Sequence, residues 1–292
     1  MKIKVSVLIL TFNRADQLDR CLHSIWAGTY TPDEVVVVDN GSTDHTGSIV
    51  SNYPVKYIKL HKNYGCPTGR NIGVKNCSGE FVYMLDDDGW LEADALSLAI
   101  ACFNSMSEKY QVGAVVSHVE LTSKSNVIGK YSKPSCKDNY GVTRRKNFSG
   151  GASLISRAAF QESGGYPDDF WGYGEEFDIS LRMHMLGYHV FHEPASIMFH
   201  EAVIEKGRIN SSFIYYNTRN VIFTAVDYYP LVLVPFAILW YFFRWLVVSF
   251  KMKNTHLVFL GFIEAMVRSP VRFFKFRKRI KLSQLVDFIK IG

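Results

Sequence analysis

Phe81-Val82-Tyr83-Met84-Leu85-Asp86-Asp87-Asp88 is the stretch on which the fold turns: a short apolar run rich in strand formers leads directly into consecutive carboxylates. Such a run reads as a strand buried on both faces, and acids at its end stand where open α/β sheets present their ligands. Adjacent acids repel one another. A divalent cation would relieve that repulsion, and hard oxygen donors suit Mg²⁺ or Mn²⁺ bridging substrate phosphates. A solvated acidic turn is the plainer alternative.

Working outward, Val5 to Leu10, Val35 to Asp39, Lys56 to Leu60, Gly113 to Val119 and Ala152 to Ser156 read as further strands. Between them, Asp16 to Ala27 and Glu92 to Ser107 have the character of amphipathic helices, the first placing Leu18, Leu22, Ile25 and Trp26 on one face. Glu175 to Leu186, closed by Gly187, reads as another helix. This alternation predicts an α/β fold with a Rossmann-like, mostly parallel sheet flanked by helices. From Thr122 to Gly151 the periodicity vanishes while Ser, Lys, Asn and Gly accumulate, which predicts an irregular excursion of functional use.

Other acids fall at comparable places. Asp39 ends the second predicted strand, where it could bind a ribose hydroxyl or a base N–H; an Asn-Gly turn and a Ser/Thr cap explain Asn40 to Asp44 equally well. Glu175-Glu176 opens the helix after a Gly-rich bend, although acids at a helix start are also favoured by the dipole. Asp178 lies four residues before Arg182, predicting a helix-surface ion pair. His200 follows the strand-like Ile197 to Phe199, while Trp171 and Tyr173 are placed to stack on a sugar or to pack the bend. The first strand lacks a following G-x-G-x-x-G and the chain has no G-x-x-x-x-G-K-[ST], which argues against dinucleotide and P-loop sites.

Val5 to Arg14, Val37 to Asp44, Asn63 to Gly73 and Leu85 to Asp88, followed by Gly164 to Pro167 and Gly174 to Arg182, together resemble the family 2 glycosyltransferases of the GT-A fold, of a bacterial rhamnosyltransferase-like type. The resemblance covers roughly residues 3 to 225. It implies an inverting transfer of a sugar from a nucleotide diphosphate sugar to a hydroxyl of a glycan or lipid-linked acceptor, in surface polysaccharide or glycolipid synthesis. It places Thr11, Asn13 and Arg14 beside the nucleotide, Asp39 on the base and Asp44 nearby. Asn63, Gly69, Arg70 and Asn71 would close over the donor and its diphosphate. Asp86, Asp87 and Asp88 would form the acidic motif, with Asp86, Asp88 and His200 toward the metal. Glu176 would be the catalytic base with Glu175 its rival, because the family usually has Glu-Asp where this chain has Glu-Glu. Trp171 and Tyr173 would meet the acceptor. The competing readings are an inactive nucleotide-sugar-binding scaffold and a sugar-nucleotide pyrophosphorylase.

The tail has a different character. The 292 residues are 48% hydrophobic and 14% aromatic, which excludes a disordered chain, and the mean hydropathy of +0.01 is high for a purely soluble enzyme. Leu231 to Phe250 carries only Arg244 as a charge, a length sufficient to span a bilayer. Arg268, Arg272, Lys275, Arg277, Lys278, Arg279 and Lys281 then crowd together and supply a local excess within the net charge of +6. A single crossing would place those cations outside, against the positive-inside rule. The expectation is therefore interfacial attachment to an anionic membrane surface on the cytoplasmic side, with Trp240, Tyr241, Arg244 and Trp245 near head groups. The alternative is a helical hairpin packed on the domain or forming a homodimer. Residues 1–225 would be the catalytic domain and 226–292 the membrane-associating helical region. A nucleic-acid partner is disfavoured, since the cations adjoin an apolar segment rather than an aromatic platform. The five cysteines form no C-x-x-C pair, pointing to a reducing compartment, and the apolar run of the N-terminus is too short for a signal peptide.

Overall fold

Alternate residues of the central strands point into different cores, so the sheet is buried on both faces. The computed structural model describes residues 3–122, 141–201, 211–251 and 253–291. In strands β1 (Val5–Thr11), β2 (Glu34–Asp39) and β4 (Phe81–Asp86), the side chains of Val5, Val7, Ile9, Val35, Val37, Tyr83 and Leu85 face one layer. Helices α1 (Ala15–Trp26) and α4 (Ala95–Ser107) cover it with Leu18, Leu22, Leu96 and Phe103. Leu8, Val36, Val38, Val82 and Met84 face the other layer, against Val74 of α3 (Cys66–Asn76), Phe160 of α5 (Arg157–Glu162) and Ile179 and Met183 of α6 (Glu175–Met185). That double burial is why these strands read as continuous apolar runs.

The remaining strands are β3 (Lys56–Lys59), β5 (Gly89–Leu91), β6 (Val112–Thr122), β7 (Thr143–Arg145), β8 (Ala152–Ser156) and β9 (His189–Glu201), and the short α2 spans Thr46–Val50. The sheet runs β3-β2-β1-β4-β8-β6-β9-β5, with β7 on β9. The expected parallel order holds from β3 to β4, and β6 pairs parallel with β9; β8 enters antiparallel between β4 and β6. Most of the expected excursion, residues 123–140 with Cys136, lies outside the described residues, and its far end carries β7. Cys21, Cys66, Cys77 and Cys102 are free thiols.

Helix α7 (Ser211–Tyr228) runs through the boundary expected at residue 225, and the apolar character begins after Pro230. A 3₁₀ turn (Leu231–Leu233) leads into α8 (Val234–Lys251), then α9 (Thr255–Phe276) and α10 (Leu282–Lys290). Leu231–Phe250 has a mean hydropathy of 2.1 and exposes Phe236, Leu239, Trp240, Phe243 and Phe250; it is the one helical stretch among the described residues long and apolar enough to cross a membrane.

The basic cluster is not uniformly available to lipid. Arg272 is buried on Asp227 at 2.5 Å and also pairs with Asp169. Arg268 bridges Glu264 at 2.9 Å and Asp169 at 3.1 Å. Arg277 donates to the carbonyls of Val226 and Tyr229. These cations staple the tail to the domain, whereas Lys278, Arg279 and Lys281 have no carboxylate partner among the described residues and Lys275 lies over the Phe276 ring at 4.9 Å. Tyr241 likewise turns inward, sharing a 2.8 Å hydrogen bond with Tyr229 and packing on Phe177. The Asp178–Arg182 pair forms at 2.5 Å, but in the interior: Asp178 has no exposure and also accepts from Thr224.

Candidate active site

Strand register assembles the site. Leu10 lies opposite Asp86, and Thr11 opposite Asp39, so the carboxyl ends of β1, β2 and β4 stand side by side. Beyond β4 the chain turns through Asp87 and Asp88 into β5, where Gly89 pairs with His200 of β9. That pairing brings His200 Nε2 within 3.1 Å of Asp88 Oδ1. Asp86, Asp88 and His200 each offer a donor atom, all within 4.8 Å of one another. Two carboxylates and an imidazole make a donor set suited to a divalent cation, and the partnerless, buried Nδ1 of His200 leaves Nε2 as its working nitrogen.

The acids have local support. Arg14 Nη1 lies 2.9 Å from Asp87 Oδ1 and 2.7 Å from Asp88 Oδ2. Burial pushes the Asp87 carboxyl up to about 6 even so. Burial also opposes ionisation of Asp88, but the His200 hydrogen bond and the Arg14 charge outweigh it and hold this carboxyl below its ordinary range.

Arg70, on α3, joins the two sides of the site. Its Nη2 bonds Asp86 Oδ1 at 2.7 Å and its Nη1 lies 3.6 Å from Glu176 Oε1. Burial works against its charge, yet the surrounding acids hold its pKa well above the ordinary value. Gly65, with φ of +83°, precedes α3 and tucks under the Trp171 carbonyl, leaving no room for a Cβ. Across the cleft, left-handed Tyr173 (φ +62°) and Gly174 (φ +82°) turn the chain into α6. Glu176 then faces the cleft with 28% of its side chain exposed, while Glu175 is buried and its Oε2 has no hydrogen-bond partner. Burial, and then the neighbouring Glu176 charge, push Glu175 upward; burial also raises Glu176, with Arg70 pulling against it.

A cleft of about 690 Å³ gathers Thr11, Arg14, Asn63, Arg70, Asp86, Asp87, Asp88, Trp171, Tyr173, Glu175, Glu176 and His200. The other residues singled out in the sequence fall outside its lining. Asp39 is fully buried, accepting from Ser42 N at 2.7 Å and Tyr57 Oη at 2.5 Å. Asp44 accepts from Thr46 N and Ala15 N, tying α2 to α1. Asn13 (φ +54°) accepts from Thr43 N through its side chain. Asn71 clasps Tyr166 through both backbone polar groups. Gly69 lies against Leu10, where a Cβ would not fit.

Sequence reading missed several participants. Asn40, taken there as a turn residue, lines the cleft and binds Asn63 Oδ1 at 3.0 Å, the Gly65 carbonyl and Tyr64 N. A Cβ on Gly150 would overlap Arg70, and one on Gly151 would overlap the Asp86 carboxylate. Antiparallel pairing of Ala152 with Leu85 sets that glycine pair against the acids, and Gly151 O accepts from Asp86 N at 3.1 Å. A Gly-Gly immediately before an apolar strand was the available signal.

Comparison with known proteins bears on the family and the fold. Over 205 residues the chain is 25% identical to a poly-beta-1,6-N-acetyl-D-glucosamine synthase of Staphylococcus epidermidis, a match covering 66% of this chain and 48% of that protein. A Staphylococcus aureus synthase of the same description is 24% identical over 207 residues, with the same shares of 66% and 48%. The chain thus spans about half the length of these curated relatives. Among solved structures, S. aureus TarS in complex with UDP-GlcNAc superposes with a TM-score of 0.64 at 17% identity, covering 93% of this chain and 88% of that one. A mannosyltransferase from Pyrobaculum calidifontis in complex with GDP-Man and Mn²⁺ gives 0.60 at 17% identity, covering 91% and 88%. Such distant structural likeness speaks for the fold. The sequence pattern of Glycosyl transferase family 2 matches residues 6–177, more than half of the chain, and the chain belongs to that family.

Proposed function

We propose that the chain is an inverting glycosyltransferase that moves a sugar from a nucleotide diphosphate sugar to a hydroxyl of a glycan or lipid-linked acceptor, in surface polysaccharide or glycolipid synthesis at a membrane. One observation carries this reading: the acid cluster of Asp86 and Asp88 and the cleft-facing carboxylate of Glu176 share one cleft, bridged by Arg70. Relatives described as polysaccharide synthases, and neighbours solved with UDP-GlcNAc or with GDP-Man and Mn²⁺, support it.

Asp86, Asp88 and His200 would hold a divalent cation, which when bound would supply charge neutralisation to a pyrophosphate, an effect of several kcal/mol. The imidazole among the donors favours Mn²⁺ over Mg²⁺. The chain itself does the rest. Arg70 and Arg14 present positive charge where the leaving diphosphate gains negative charge. Glu176 takes the acceptor hydroxyl's proton, a role worth roughly 10² to 10⁴ in rate. Glu175 lies buried behind it, its raised proton affinity suiting a neutral, positioning role. Trp171, half exposed at the cleft rim, offers an apolar face for a sugar ring. A single base with no second nucleophile implies one displacement and therefore inversion. The exposed apolar face of α8 and the remaining cations of the tail support interfacial attachment to a membrane.

The test is transfer from a panel of nucleotide diphosphate sugars with added Mn²⁺, comparing Glu176→Gln and Glu175→Gln. Glu176→Gln is expected to abolish turnover while keeping donor binding. Full activity in that variant, or donor binding without turnover in the wild type, would overturn the assignment.

A further inference from the structure

Asn40 is the first residue past β2; it is buried, and its backbone N–H donates to the Thr11 carbonyl of β1 at 2.9 Å. Its side-chain amide commits every polar group to the loop that leads into α3. Oδ1 accepts from Tyr64 N at 2.9 Å, while Nδ2 donates to the Gly65 carbonyl at 3.2 Å and to Asn63 Oδ1 at 3.0 Å. A backbone N–H can only donate and a carbonyl can only accept, so the Asn40 amide fits one way round. Turned over, it would set oxygen against oxygen and N–H against N–H.

That orientation fixes a second amide. Because Asn40 approaches Asn63 with a donor, Asn63 answers with Oδ1, and Gly65 N donates to the same oxygen at 2.8 Å. Asn63 lines the cleft, and among the described residues its Nδ2 has no hydrogen-bond partner. This wall therefore presents N–H groups to the cleft, and a ligand satisfies them only with an acceptor oxygen. In the sheet β2 is two places from β4, about 10 Å at the usual strand spacing, so Asn63 meets the nucleoside end of a donor whose pyrophosphate sits at the acids.

We propose that Asn40 is a positioning residue for the donor: it holds the Asn63 amide with its N–H groups toward the cleft, where they bind a base carbonyl or ribose oxygen of the nucleoside. The assignment rests on the glycosyl-transfer reading of the cleft. Asparagine suits this place because one short side chain with an acceptor and two donors meets Tyr64 N, the Gly65 carbonyl and Asn63 Oδ1 at once. An aspartate would keep the first contact and oppose the other two. Asn63 would relieve that repulsion by turning its amide over, setting an oxygen against the oxygen of the nucleoside.

The test uses the full chain in detergent and equilibrium binding of UDP-N-acetylglucosamine, GDP-mannose and dTDP-glucose with Mn²⁺, following whichever binds the wild type, at pH 6 and pH 8. Asn40→Asp should weaken binding at least about tenfold at pH 8, as a lost hydrogen bond with an unpaired group left behind gives. At pH 6 the penalty relative to wild type should shrink at least about threefold, because a buried carboxyl facing two acceptor oxygens takes up a proton and donates again. Asn40→Ala, with nothing to protonate, should lose affinity equally at both pH values. The titratable groups nearby, Asp39 with Tyr57 behind it, His61, Lys62 and Tyr64 on the loop, and Cys66, are common to the wild type and both variants, so these comparisons remove their share. Adding Asn40→Asp to Asn63→Ala should cost at most about twofold more at pH 8, since the amide it would turn is gone. Asn63→Asp, which leaves the buried residue untouched, should by itself weaken nucleotide binding at least about tenfold. Inorganic pyrophosphate with Mn²⁺ should bind the wild type and Asn40→Asp alike. Additive losses in the double variant, a penalty independent of pH in Asn40→Asp, an equal penalty on pyrophosphate, or unchanged affinity in Asn63→Asp would each overturn the proposal. A melting shift with Mn²⁺ alone, which reads the acids, shows that each variant is folded. A wild type that binds none of the nucleotide sugars would instead refute the glycosyl-transfer reading itself.

Discussion

Replacing Arg272 with methionine tests whether the tail is an integral part of the domain. The Arg272 and Asp227 side chains are 5% and 1% exposed, and the pair closes at 2.5 Å. Methionine keeps the aliphatic volume but leaves Asp227 as a buried charge without its partner, a change that typically costs about 3–5 kcal/mol. The guanidinium also stacks 4.4 Å from the Phe223 ring, adding roughly 0.5–2 kcal/mol. At about 2–4 °C per kcal/mol, the combined loss of about 3.5–7 kcal/mol should lower the melting point by roughly 7–28 °C. The deficit should depend on pH. Burial already raises the Asp227 carboxyl to about 6, despite Arg272. Without Arg272 its folded-state pKa rises further above the unfolded value, so the folded variant binds more protons and its stability falls as pH rises through that interval. Thermal unfolding followed by tryptophan fluorescence in detergent at pH 7.5 and pH 5 reads both effects. Arg272→Met with Asp227→Asn should recover more than half of the loss at pH 7.5, since the orphaned charge is gone. A single variant melting within about 2 °C of the wild type, or a deficit larger at pH 5, would refute the reasoning.

Glu176 must be ionised to accept a proton, and burial raises its pKa, so kcat/KM should climb with pH along an acid limb above the ordinary carboxylate value of about 4.3. Arg70→Met should move that limb higher still by removing the opposing charge, and a limb at the ordinary value would refute the assignment. Gly151→Ala would push a methyl group into the Asp86 carboxylate; expected are at least about a tenfold loss of Mn²⁺-dependent turnover and about 1–3 kcal/mol of destabilisation, the usual range for overpacking. Mn²⁺ at about 100 times its Kd should stabilise the protein by about 2.7 kcal/mol, reversibly with chelator, and Asp88→Asn should abolish the difference in melting point.

The parallel half of the fold was legible because burial on both faces writes itself as unbroken apolar runs, and the strand at Phe81–Asp86 was located to the residue. Antiparallel β8 left no such trace: its apolar run is as compatible with one direction as the other. In the site, charged residues that end strands or open helices were readable from position alone. The division between cleft and support was not. Asp39 and Asn40 are neighbours with similar polarity, and only the folded structure shows the first accepting from Ser42 and Tyr57 while the second lines the cleft. The tail misled for a related reason. A run of cations suggests a surface, but Asp169 and Asp227, which bury Arg272, lie 103 and 45 residues away along the chain.

The bend that delivers Trp171, Tyr173 and Glu176 hangs from the tail. Asn220 of α7 holds the carbonyls of Gly172 and Tyr173, Arg219 holds that of Asp169, and Arg268 and Arg272 of α9 grip the Asp169 side chain. Trimming the chain at Pro230 to gain solubility would therefore keep the Asn220 and Arg219 contacts but remove the Arg268 and Arg272 grip on Asp169 and the α9 packing behind α7. Conversely, any tilt of α9 would pass through Asp169 to the bend that carries Trp171, Tyr173 and Glu176, so the setting of a helix outside the sheet is transmitted to one wall of the cleft.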